Sequence, residues 1–222
     1  MFKVVILRSV SELMRDDFDI LCSLVSLEKQ ERIKRFCSFL DAQNSIMGDV
    51  LARVEICRVT GLSNRQLEFA VNTYGKPFLV NNSHIHHNIS HASHYVACVI
   101  SDVSVGIDIE LIKPIDMKIV KRFFALDEQA YVSSSSQGDT VNERFFEVWT
   151  KKESRIKCEG KGLLSSLSSF SVIDPLKHSG FFYHCICNNG EIVGHVCSSK
   201  AEPPSVRVID HDMLLQYARL LG

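Results

Sequence analysis

Two acidic residues on one face of a buried strand constrain this chain more than any other feature. In Val105-Gly106-Ile107-Asp108-Ile109-Glu110 the apolar side chains point one way, whereas Asp108 and Glu110 point the other way. Like charges that face each other on a strand repel by up to about 1 kcal/mol. The pattern therefore predicts either a hard cation such as Mg²⁺ held by the two carboxylates, or a strand end exposed to solvent.

A second candidate feature lies on a helix that the periodicity predicts from about Thr140 to Cys158. Trp149, Glu153 and Lys157 recur at intervals of four residues and therefore share one face across two turns. This spacing is compatible with a surface Glu–Lys pair beside a core tryptophan. It is also compatible with a carboxylate and an ammonium group that one rigid element delivers to a site.

The amino-terminal third predicts a strand at residues 3–7 followed by three helices. Ser11 and Ser26 are expected to cap the first two helices, and the third helix runs from Asp41 to Gly61. The second helix, which we extend to Phe36, carries basic side chains that suit either a solvated face or an anion site. These side chains are Lys29, Arg32, Lys34 and Arg35.

A turn and a histidine-rich segment follow a strand predicted at residues 67–71. In Tyr74-Gly75-Lys76-Pro77 the glycine lets the backbone approach a ligand, and the lysine supplies a charge beside it. The segment from His84 to His91 contains four histidines, without cysteine or acidic partners at zinc-motif spacing. We interpret it as a surface turn, with Ser90 and His91 as hydrogen-bond donors, in preference to a zinc site.

The central and carboxyl-terminal parts mix helices with hairpins. A strand at residues 95–100 is expected to form a hairpin with the acidic strand. Helical segments follow between residues 115 and 158, separated by a serine-rich loop at residues 133–139. Because hairpins follow helices without strict strand–helix–strand alternation, the chain is predicted to have an α+β fold. Four later strands precede a helix from Asp212, at residues 170–173, 181–186, 191–198 and 206–209.

Composition limits the classes of partner and the compartment. With 222 residues, 45% of them hydrophobic, the chain can form one domain or two tightly joined halves. A net charge of −1 argues against general attraction to nucleic acid or to a membrane surface. Eight cysteines without paired spacing, no signal-peptide pattern and no apolar run of spanning length predict a cytoplasmic protein with reduced thiols.

Three motifs in order along the chain resemble the 4′-phosphopantetheinyl transferases. They are Gly106-Ile107-Asp108-Ile109-Glu110, Trp149-Thr150-Lys151-Lys152-Glu153-Ser154-Arg155-Ile156-Lys157 and Gly160-Lys161-Gly162-Leu163. Other segments look like the long, monomeric, surfactin-synthetase-activating (Sfp-type) branch of that family. These segments are Tyr74-Gly75-Lys76-Pro77, Asn88-Ile89-Ser90-His91, Arg122-Phe123-Phe124 and Phe170-Ser171-Val172.

The resemblance implies two similar α+β halves, residues 1–104 and 105–222, related by a pseudo-twofold axis with the coenzyme in the cleft between them. It also implies an activity, the transfer of the phosphopantetheine arm of coenzyme A to a serine of a carrier protein. Such acyl or peptidyl carriers serve peptide synthetases, polyketide synthases or fatty acid synthesis. By the same resemblance the protein is a monomer, and the carrier is an acidic partner that binds transiently.

The resemblance also assigns roles at the reaction centre. Asp108, Glu110 and Glu153 would hold Mg²⁺, with Mn²⁺ as an alternative. Lys157 would face the pyrophosphate of the coenzyme. The base for the serine proton would be either Glu153 or Glu128 acting through a metal-bound water.

A larger set of residues is implied to contact coenzyme A. Asn44 departs from the family pattern, because relatives often carry arginine there, and Ser45 would compensate through its hydroxyl. Asp108 and Lys157 would contact the pyrophosphate part. The 3′-phosphate would be surrounded by Lys29, Arg32, Ser90 and His91, and the adenine would be held by Gly75, Lys76 and Pro77.

A basic rim around apolar anchors is the implied docking surface for the acidic carrier. Its members are Lys113, Met117, Lys118, Lys121 and Phe124. Two alternative functions use the same residues differently. One is a metal-dependent phosphodiester or pyrophosphate hydrolase with water as the nucleophile, and the other is a non-catalytic module that binds carrier or coenzyme.

Overall fold

The computed structural model describes residues 1–134, 138–162, 167–174 and 180–221, and for Asp139 the backbone only. Nine strands and seven α-helices alternate irregularly along these residues, which confirms the α+β prediction. In chain order the elements are β1 (Phe2–Arg8), α1 (Arg15–Ser23), α2 (Leu27–Ile33), α3 (Phe39–Thr60), β2 (Phe69–Val71), β3 (Pro77–Leu79), β4 (His86–Ala92), β5 (Tyr95–Ser101), β6 (Val105–Leu111), α4 (Met117–Phe123), α5 (Leu126–Ser133), α6 (Gly138–Glu159), β7 (Phe182–Asn188), β8 (Ile192–Ser198), β9 (Ser205–Asp210) and α7 (His211–Arg219).

The chain divides into two compact units. Unit 1 contains residues 1–70, 77–102 and 204–222, and unit 2 contains residues 71–76 and 103–203. This division differs from the expected halves 1–104 and 105–222. The end of the chain belongs to unit 1 because β9 pairs in parallel with β1.

Unit 1 is a four-stranded sheet with the order β4-β5-β1-β9, against which the 22-residue helix α3 packs. Fully buried side chains of α3, among them Ile46, Met47 and Leu51, form the centre of its core with Leu7 and Val96. The hydroxyl of Ser38 caps α3 by accepting from the amide of Asp41, and Gly61 ends it with a left-handed φ of 75°.

Three predictions for unit 1 need correction. Ser11 does not cap α1, which begins at Arg15 without a side-chain cap, whereas Ser26 caps α2 as predicted. The histidine-rich segment is strand β4 and not a turn, because residues 86–92 pair antiparallel with all seven residues of β5. The predicted hairpin of β5 with β6 is wrong, because β1 and β4 already occupy both edges of β5.

Unit 2 is a three-stranded antiparallel sheet with the order β6-β8-β7, covered on one face by the 22-residue helix α6. A hydrophobic core cluster of unit 2 includes Val120, Phe145 and Val148. Residues 170–173 are not a strand, since a 3₁₀ turn at Leu167–Ser169 leads into bends there. Of the predicted serine-rich loop, residues 135–137 lie outside the described residues, as does Leu163 of the glycine motif.

No helix among the described residues has both the length and the apolar composition that crossing a membrane requires.

Candidate active site

Close backbone packing brings the acidic strand β6 against the helix α6. Gly106 lies directly under α6, and a Cβ atom placed there would stand 2.0 Å from the carbonyl oxygen of Ser154 and 2.3 Å from the amide nitrogen of Cys158. Only a glycine allows this approach, which explains why the G-I-D-I-E motif begins with one. The carboxylates that follow on β6 consequently meet the side chains of α6.

Gly106→Ala is therefore expected to push α6 away from β6. Because the clashing atoms are backbone, we expect a loss of unfolding free energy of about 1–3 kcal/mol or more. A displacement of about 1 Å would also lower kcat by roughly 100-fold, since α6 carries the candidate catalytic residues. Chemical denaturation and steady-state kinetics measure both effects.

Gly138→Ala is the matched control for this substitution. A Cβ atom at Gly138 meets nothing within 4 Å, although this glycine belongs to the same helix. Both the unfolding free energy and kcat should stay close to wild type in this control. A Gly106→Ala protein with wild-type stability would contradict the close approach.

The structure brings three predicted carboxylates into one electrostatic cluster in unit 2. Asp108 is 4% exposed, and Glu110 and Glu153 are half-buried. Burial raises the pKa of Glu153, and the charge of Asp108 raises it further. Burial also raises the pKa of Glu110, with added contributions from Asp108 and Glu153. Burial and neighbouring negative charge thus both disfavour the ionised forms of these two glutamates.

Lys157 supplies a cation in direct contact with this cluster. Its ammonium Nζ lies 2.6 Å from Oδ1 of Asp108, and it opposes the rise in the pKa of both glutamates. Trp149, one helical turn before Glu153, packs this face of α6 against Phe124 at the end of α4, with ring centroids 6.5 Å apart. On the predicted common face, Trp149 is therefore packed among aromatic side chains, whereas Glu153 and Lys157 belong to the charged site.

The three carboxylates are chemically suited to bind a divalent cation, although their side chains do not converge on one position. Three carboxylates offer the oxygen ligands that Mg²⁺ prefers, and the raised pKa values of Glu110 and Glu153 show that a further positive charge would be favourable. Within the described residues, however, no three His, Cys, Asp or Glu side chains stand close enough to hold a metal ion. Lys157 instead occupies one oxygen of Asp108.

Glu128 lies in a different environment from the one predicted for a base. It is 0% exposed and forms an ion pair of 2.7 Å with Lys152, which is also 0% exposed. Its other contacts are backbone amides, those of Ala125 and Val172, at 2.8 Å each. A carboxylate enclosed in this way cannot exchange protons through a water molecule at the site. We therefore replace the catalytic prediction for Glu128 with a structural role.

Lys152 points away from the Trp149 face, as its position in the motif predicts. Besides Glu128, its ammonium donates to the carbonyl oxygens of Leu167 and Phe170, both at 2.7 Å. It also lies 4.3 Å from the ring centroid of Phe170. Lys152 thus joins α6 to α5 and to the segment around residue 170.

The turn motif at residues 74–77 differs in part from its predicted use. Gly75 has the left-handed φ of 84° that the turn requires, and it is exposed. The side chain of Lys76, which was predicted to offer a charge to the adenine, instead donates to the carbonyl oxygens of Val105 and Cys158 at 3.0 Å each. Because the N–H and the carbonyl oxygen of Lys76 are both bonded to Asn72, Gly75 and Pro77 stay the candidate contacts of this turn.

In unit 1, Lys29 of α2 faces a carboxylate on α3. Lys29 lies 3.7 Å from Asp49, which also accepts from Arg53 at 2.6 Å. Burial lowers the pKa of Lys29, Asp49 opposes this change, and the charges of Arg32 and Arg53 add to it. The single negative charge of Asp49 does not balance the positive charges of Lys29, Arg32 and Arg53. The remaining positive charge suits the binding of an anion.

The remaining predicted coenzyme contacts occupy α3 and β4. Ser45 is half-buried on α3, Ser90 is 6% exposed and His91 is exposed on β4. Asn44 is 1% exposed and donates to the carbonyl oxygen of Ser93 at 2.7 Å. Asn44 thus braces the turn between β4 and β5.

The structure exposes the predicted docking cations but buries one of the apolar anchors. Lys113, Lys118 and Lys121 are exposed, and Met117 is half-buried. Phe124 is 1% exposed because it stacks on Phe145 at 5.2 Å, so it belongs to the core. Ile119, on the exposed side of α4, is 36% exposed and takes its place as an apolar group among the lysines.

His195 is a buried polar residue that the sequence did not reveal. It pairs with Asp108 across β6 and β8, and its Nδ1 lies 2.8 Å from the hydroxyl of Thr150 on α6. Because that hydroxyl already donates to the carbonyl oxygen of Phe146 at 2.7 Å, His195 must be the donor. A single histidine in an apolar strand forms no sequence pattern, so this buried hydrogen bond between β8 and α6 could not be predicted.

Comparison with known proteins identifies the family. The model of the 4′-phosphopantetheinyl transferase superfamily matches residues 104–207, and the model of the 4′-phosphopantetheinyl transferase N-terminal region matches residues 12–103. The chain is 41% identical to 4′-phosphopantetheinyl transferase gsp of Aneurinibacillus migulanus over 172 residues, 78% of this chain and 71% of the relative. This chain belongs to the 4′-phosphopantetheinyl transferase superfamily. The predicted family is therefore confirmed.

A further relative supports the Sfp-type branch. The chain is 39% identical to 4′-phosphopantetheinyl transferase Sfp of Bacillus subtilis over 160 residues, 72% of this chain and 71% of the relative. Similarity also extends to the L-aminoadipate-semialdehyde dehydrogenase-phosphopantetheinyl transferase of Saccharomyces cerevisiae, at 29% over 162 residues, 68% of this chain and 58% of that protein. Membership of the superfamily implies coenzyme A as a substrate and a carrier protein as the acceptor.

Proposed function

We propose that this phosphopantetheinyl transferase moves the arm of coenzyme A to a serine hydroxyl of an acyl or peptidyl carrier in a Mg²⁺-dependent reaction. The other product is adenosine 3′,5′-bisphosphate. The observation that carries the proposal is the electrostatic interaction among Asp108, Glu110 and Glu153, together with the ion pair of Lys157 and Asp108. Such a cluster suits attack on a pyrophosphate, where negative charge must be neutralised and a proton removed.

Asp108, Glu110 and Glu153 are the residues that would hold the metal ion. Mg²⁺, or Mn²⁺ in its place, supplies positive charge to the pyrophosphate oxygens when it is bound. The ammonium of Lys157 lies at Asp108, beside the carboxylates that would hold the ion. Lys157 would act on the leaving phosphate, where an ammonium group stabilises the developing negative charge.

Glu153 is the candidate base for the serine proton. Burial and the charge of Asp108 raise the pKa of Glu153, and a raised pKa makes a carboxylate a stronger base. Glu128 is no longer an alternative, because its carboxylate is enclosed with Lys152.

For the adenosine part of coenzyme A we propose the basic group of unit 1. Lys29 and Arg32 would bind the 3′-phosphate, because together with Arg53 they outnumber the carboxylate of Asp49. Ser45, Ser90 and His91 would add hydrogen bonds to the same phosphate. The exposed Gly75 and the half-buried Pro77 would contact the adenine.

Two further observations support the proposed compartment and oligomeric state. All eight cysteines are free, which fits a reducing cytoplasm. Both family models match within one chain, at residues 12–103 and 104–207. A single chain thus supplies both proposed groups of ligand-binding residues, and we propose that the protein is a monomer.

Mass spectrometry of apo carrier proteins tests the proposed function. Carriers from peptide, polyketide and fatty acid pathways are incubated with the protein, coenzyme A and Mg²⁺. At least one carrier should gain the mass of the phosphopantetheine arm on its serine, and a chelator should prevent this gain. Release of the bisphosphate from coenzyme A without any carrier would instead indicate a hydrolase. No product with any carrier would support a binding module.

The exposed lysines of α4 are proposed to bind the acidic surface of the carrier. The double substitution Lys118→Glu and Lys121→Glu is expected to raise the KM for carrier protein by roughly tenfold or more, because like charges would then face each other. The KM for coenzyme A should not change. Steady-state kinetics with each substrate varied in turn measures both values.

A control for this prediction reverses two exposed cations elsewhere, Lys3→Glu and Arg65→Glu. This control protein has the same net charge, and it should keep the wild-type KM for both substrates. An unchanged carrier KM in the α4 double variant would remove the docking proposal.

A further inference from the structure

The ammonium group of Lys76 lies between the two elements that carry the candidate catalytic residues. It donates to the carbonyl oxygen of Val105 at 3.0 Å, at the first residue of β6. It also donates to the carbonyl oxygen of Cys158 at 3.0 Å, in the last turn of α6. The hydroxyl of Ser104, 3.5 Å away, completes its surroundings and itself donates to Cys158.

The end of a helix is a favourable place for such a group. The last carbonyl oxygens of a helix have no partner within it, and the helix dipole is negative there. Burial lowers the pKa of Lys76, so its ammonium depends on these oxygens for stabilisation. Nearby, the side-chain amide of Asn72 donates to the carbonyl oxygen of Gly160 at 2.8 Å.

Glycine at position 160 is required for this attachment. Its φ is +64°, and a Cβ atom there would lie 2.7 Å from Cδ of Lys76. The turn at residues 71–76 therefore lies directly on the carboxyl end of α6, held by Asn72 and Lys76. Lys76 of the turn therefore has a structural contact within the protein that does not depend on a bound ligand.

We propose that Lys76 is a positioning residue for the transfer reaction, and that its side chain ties the start of the acidic strand β6 to the end of α6. Asp108 and Glu110 follow three and five residues after Val105, and Lys157 directly precedes Cys158. Holding the two carbonyl oxygens on one ammonium group therefore limits the separation of these side chains. The proposal rests on the proposed function, because it assigns Lys76 a part in that reaction through other residues.

The segment Gly75-Lys76-Pro77 thus has two separate proposed roles, which the sequence alone did not distinguish. Gly75 is exposed and stays a candidate contact for the adenine, whereas the lysine side chain is committed to Val105 and Cys158. Loss of the ammonium should therefore affect the chemical step and leave adenosine binding unchanged.

Lys76→Met tests this separation, because methionine keeps an apolar stem and removes the donors. We expect kcat to fall by roughly 10- to 100-fold, as for a misplacement of about 1 Å. The Kd of adenosine 3′,5′-bisphosphate, measured by calorimetry without metal, should stay within about twofold of wild type, because the backbone contacts are kept. Lys76→Arg should restore most of kcat, since a guanidinium group can donate to the same carbonyl oxygens.

Lys161→Met is the matched control, because Lys161 is exposed near the same end of α6. It should behave as wild type in both measurements. A wild-type kcat in Lys76→Met would overturn the proposal. So would a rise in the Kd of the bisphosphate that matches the loss of activity, since the side chain would then contact the ligand.

Amide hydrogen exchange gives a readout that does not depend on activity. Exchange at residues 156–160 should be faster in Lys76→Met than in wild type, and Asn72→Ala, which removes one bond of the same attachment, should show a smaller increase. Unchanged exchange would overturn the proposal even if the wild-type protein transferred no arm. Absence of transfer with accelerated exchange would instead contradict the proposed function and leave the attachment of Lys76 supported.

Discussion

Glu153→Gln is expected to lower kcat for carrier modification by roughly 10²- to 10⁴-fold, the range for loss of a general base. The substitution removes the proposed base and one of the proposed metal ligands, while the size and shape of the side chain are kept. The Mg²⁺ concentration needed for half-maximal activity should also rise. Transfer to an apo carrier, followed by mass spectrometry over a range of Mg²⁺ concentrations, measures both changes.

The same substitution should not destabilise the metal-free protein. Burial and the charge of Asp108 raise the pKa of Glu153, so ionised Glu153 opposes folding at neutral pH. A neutral amide removes that repulsion, and the Tm without metal is expected to be equal to or above that of wild type. In wild type, added Mg²⁺ should raise the Tm, and this increase should be smaller in the variant.

Glu143→Gln serves as the control, because Glu143 is an exposed residue of the same helix. Its kcat and its response to Mg²⁺ should equal those of wild type. Retention of wild-type activity by Glu153→Gln would show that the base and ligand roles are assigned to the wrong residue. Transfer would then need a different acceptor for the serine proton.

Lys152→Met is expected to reduce the unfolding free energy by about 3–5 kcal/mol at neutral pH, the usual cost of breaking a buried ion pair from one side. Both Lys152 and Glu128 are 0% exposed, so the remaining carboxylate has no access to water. The carbonyl oxygens of Leu167 and Phe170 also lose their donor. Equilibrium denaturation of the two proteins measures the difference.

The stability deficit should depend on pH with a definite sign. Burial already raises the pKa of Glu128 in the wild-type protein, and Lys152 opposes that rise. Without Lys152 the folded-state pKa moves further above the unfolded value, so the folded variant takes up a proton as the pH falls. The deficit of Lys152→Met should therefore be largest near about pH 8 and become smaller toward about pH 5.

The double variant Lys152→Met with Glu128→Gln should be more stable than Lys152→Met alone, because no unpaired charge stays buried. The glutamine side chain would still accept a bond from one backbone amide that the Glu128 carboxylate holds, that of Ala125 or that of Val172. Lys34→Met, which breaks the exposed pair with Glu31, should leave the unfolding transition unchanged. A Lys152→Met protein as stable as wild type would contradict the buried ion pair.

Local sequence patterns predicted most of the helices and the elements that carry the site. Ser26 and Gly61 mark helix ends through side-chain and backbone preferences that act within a few residues. The same locality explains why the acidic pair of β6 and the Glu–Lys pair of α6 were identified as candidates, since each pair lies on one element. Strand partners were harder to predict, because pairing depends on residues far apart in the chain. The partner of β6 is β8, which follows it only after α4, α5, α6 and β7, and not the neighbouring β5.

The sequence by itself determined the family, the α+β class and the acidic and basic residues available for chemistry, because these follow from residue type and short spacing. Only the tertiary structure decided which charges meet. It enclosed Glu128 with Lys152 away from the site, and it turned Lys76 toward the end of α6. Burial and ion pairing are properties of neighbours in space, and a charged side chain shows its role only when those neighbours are known.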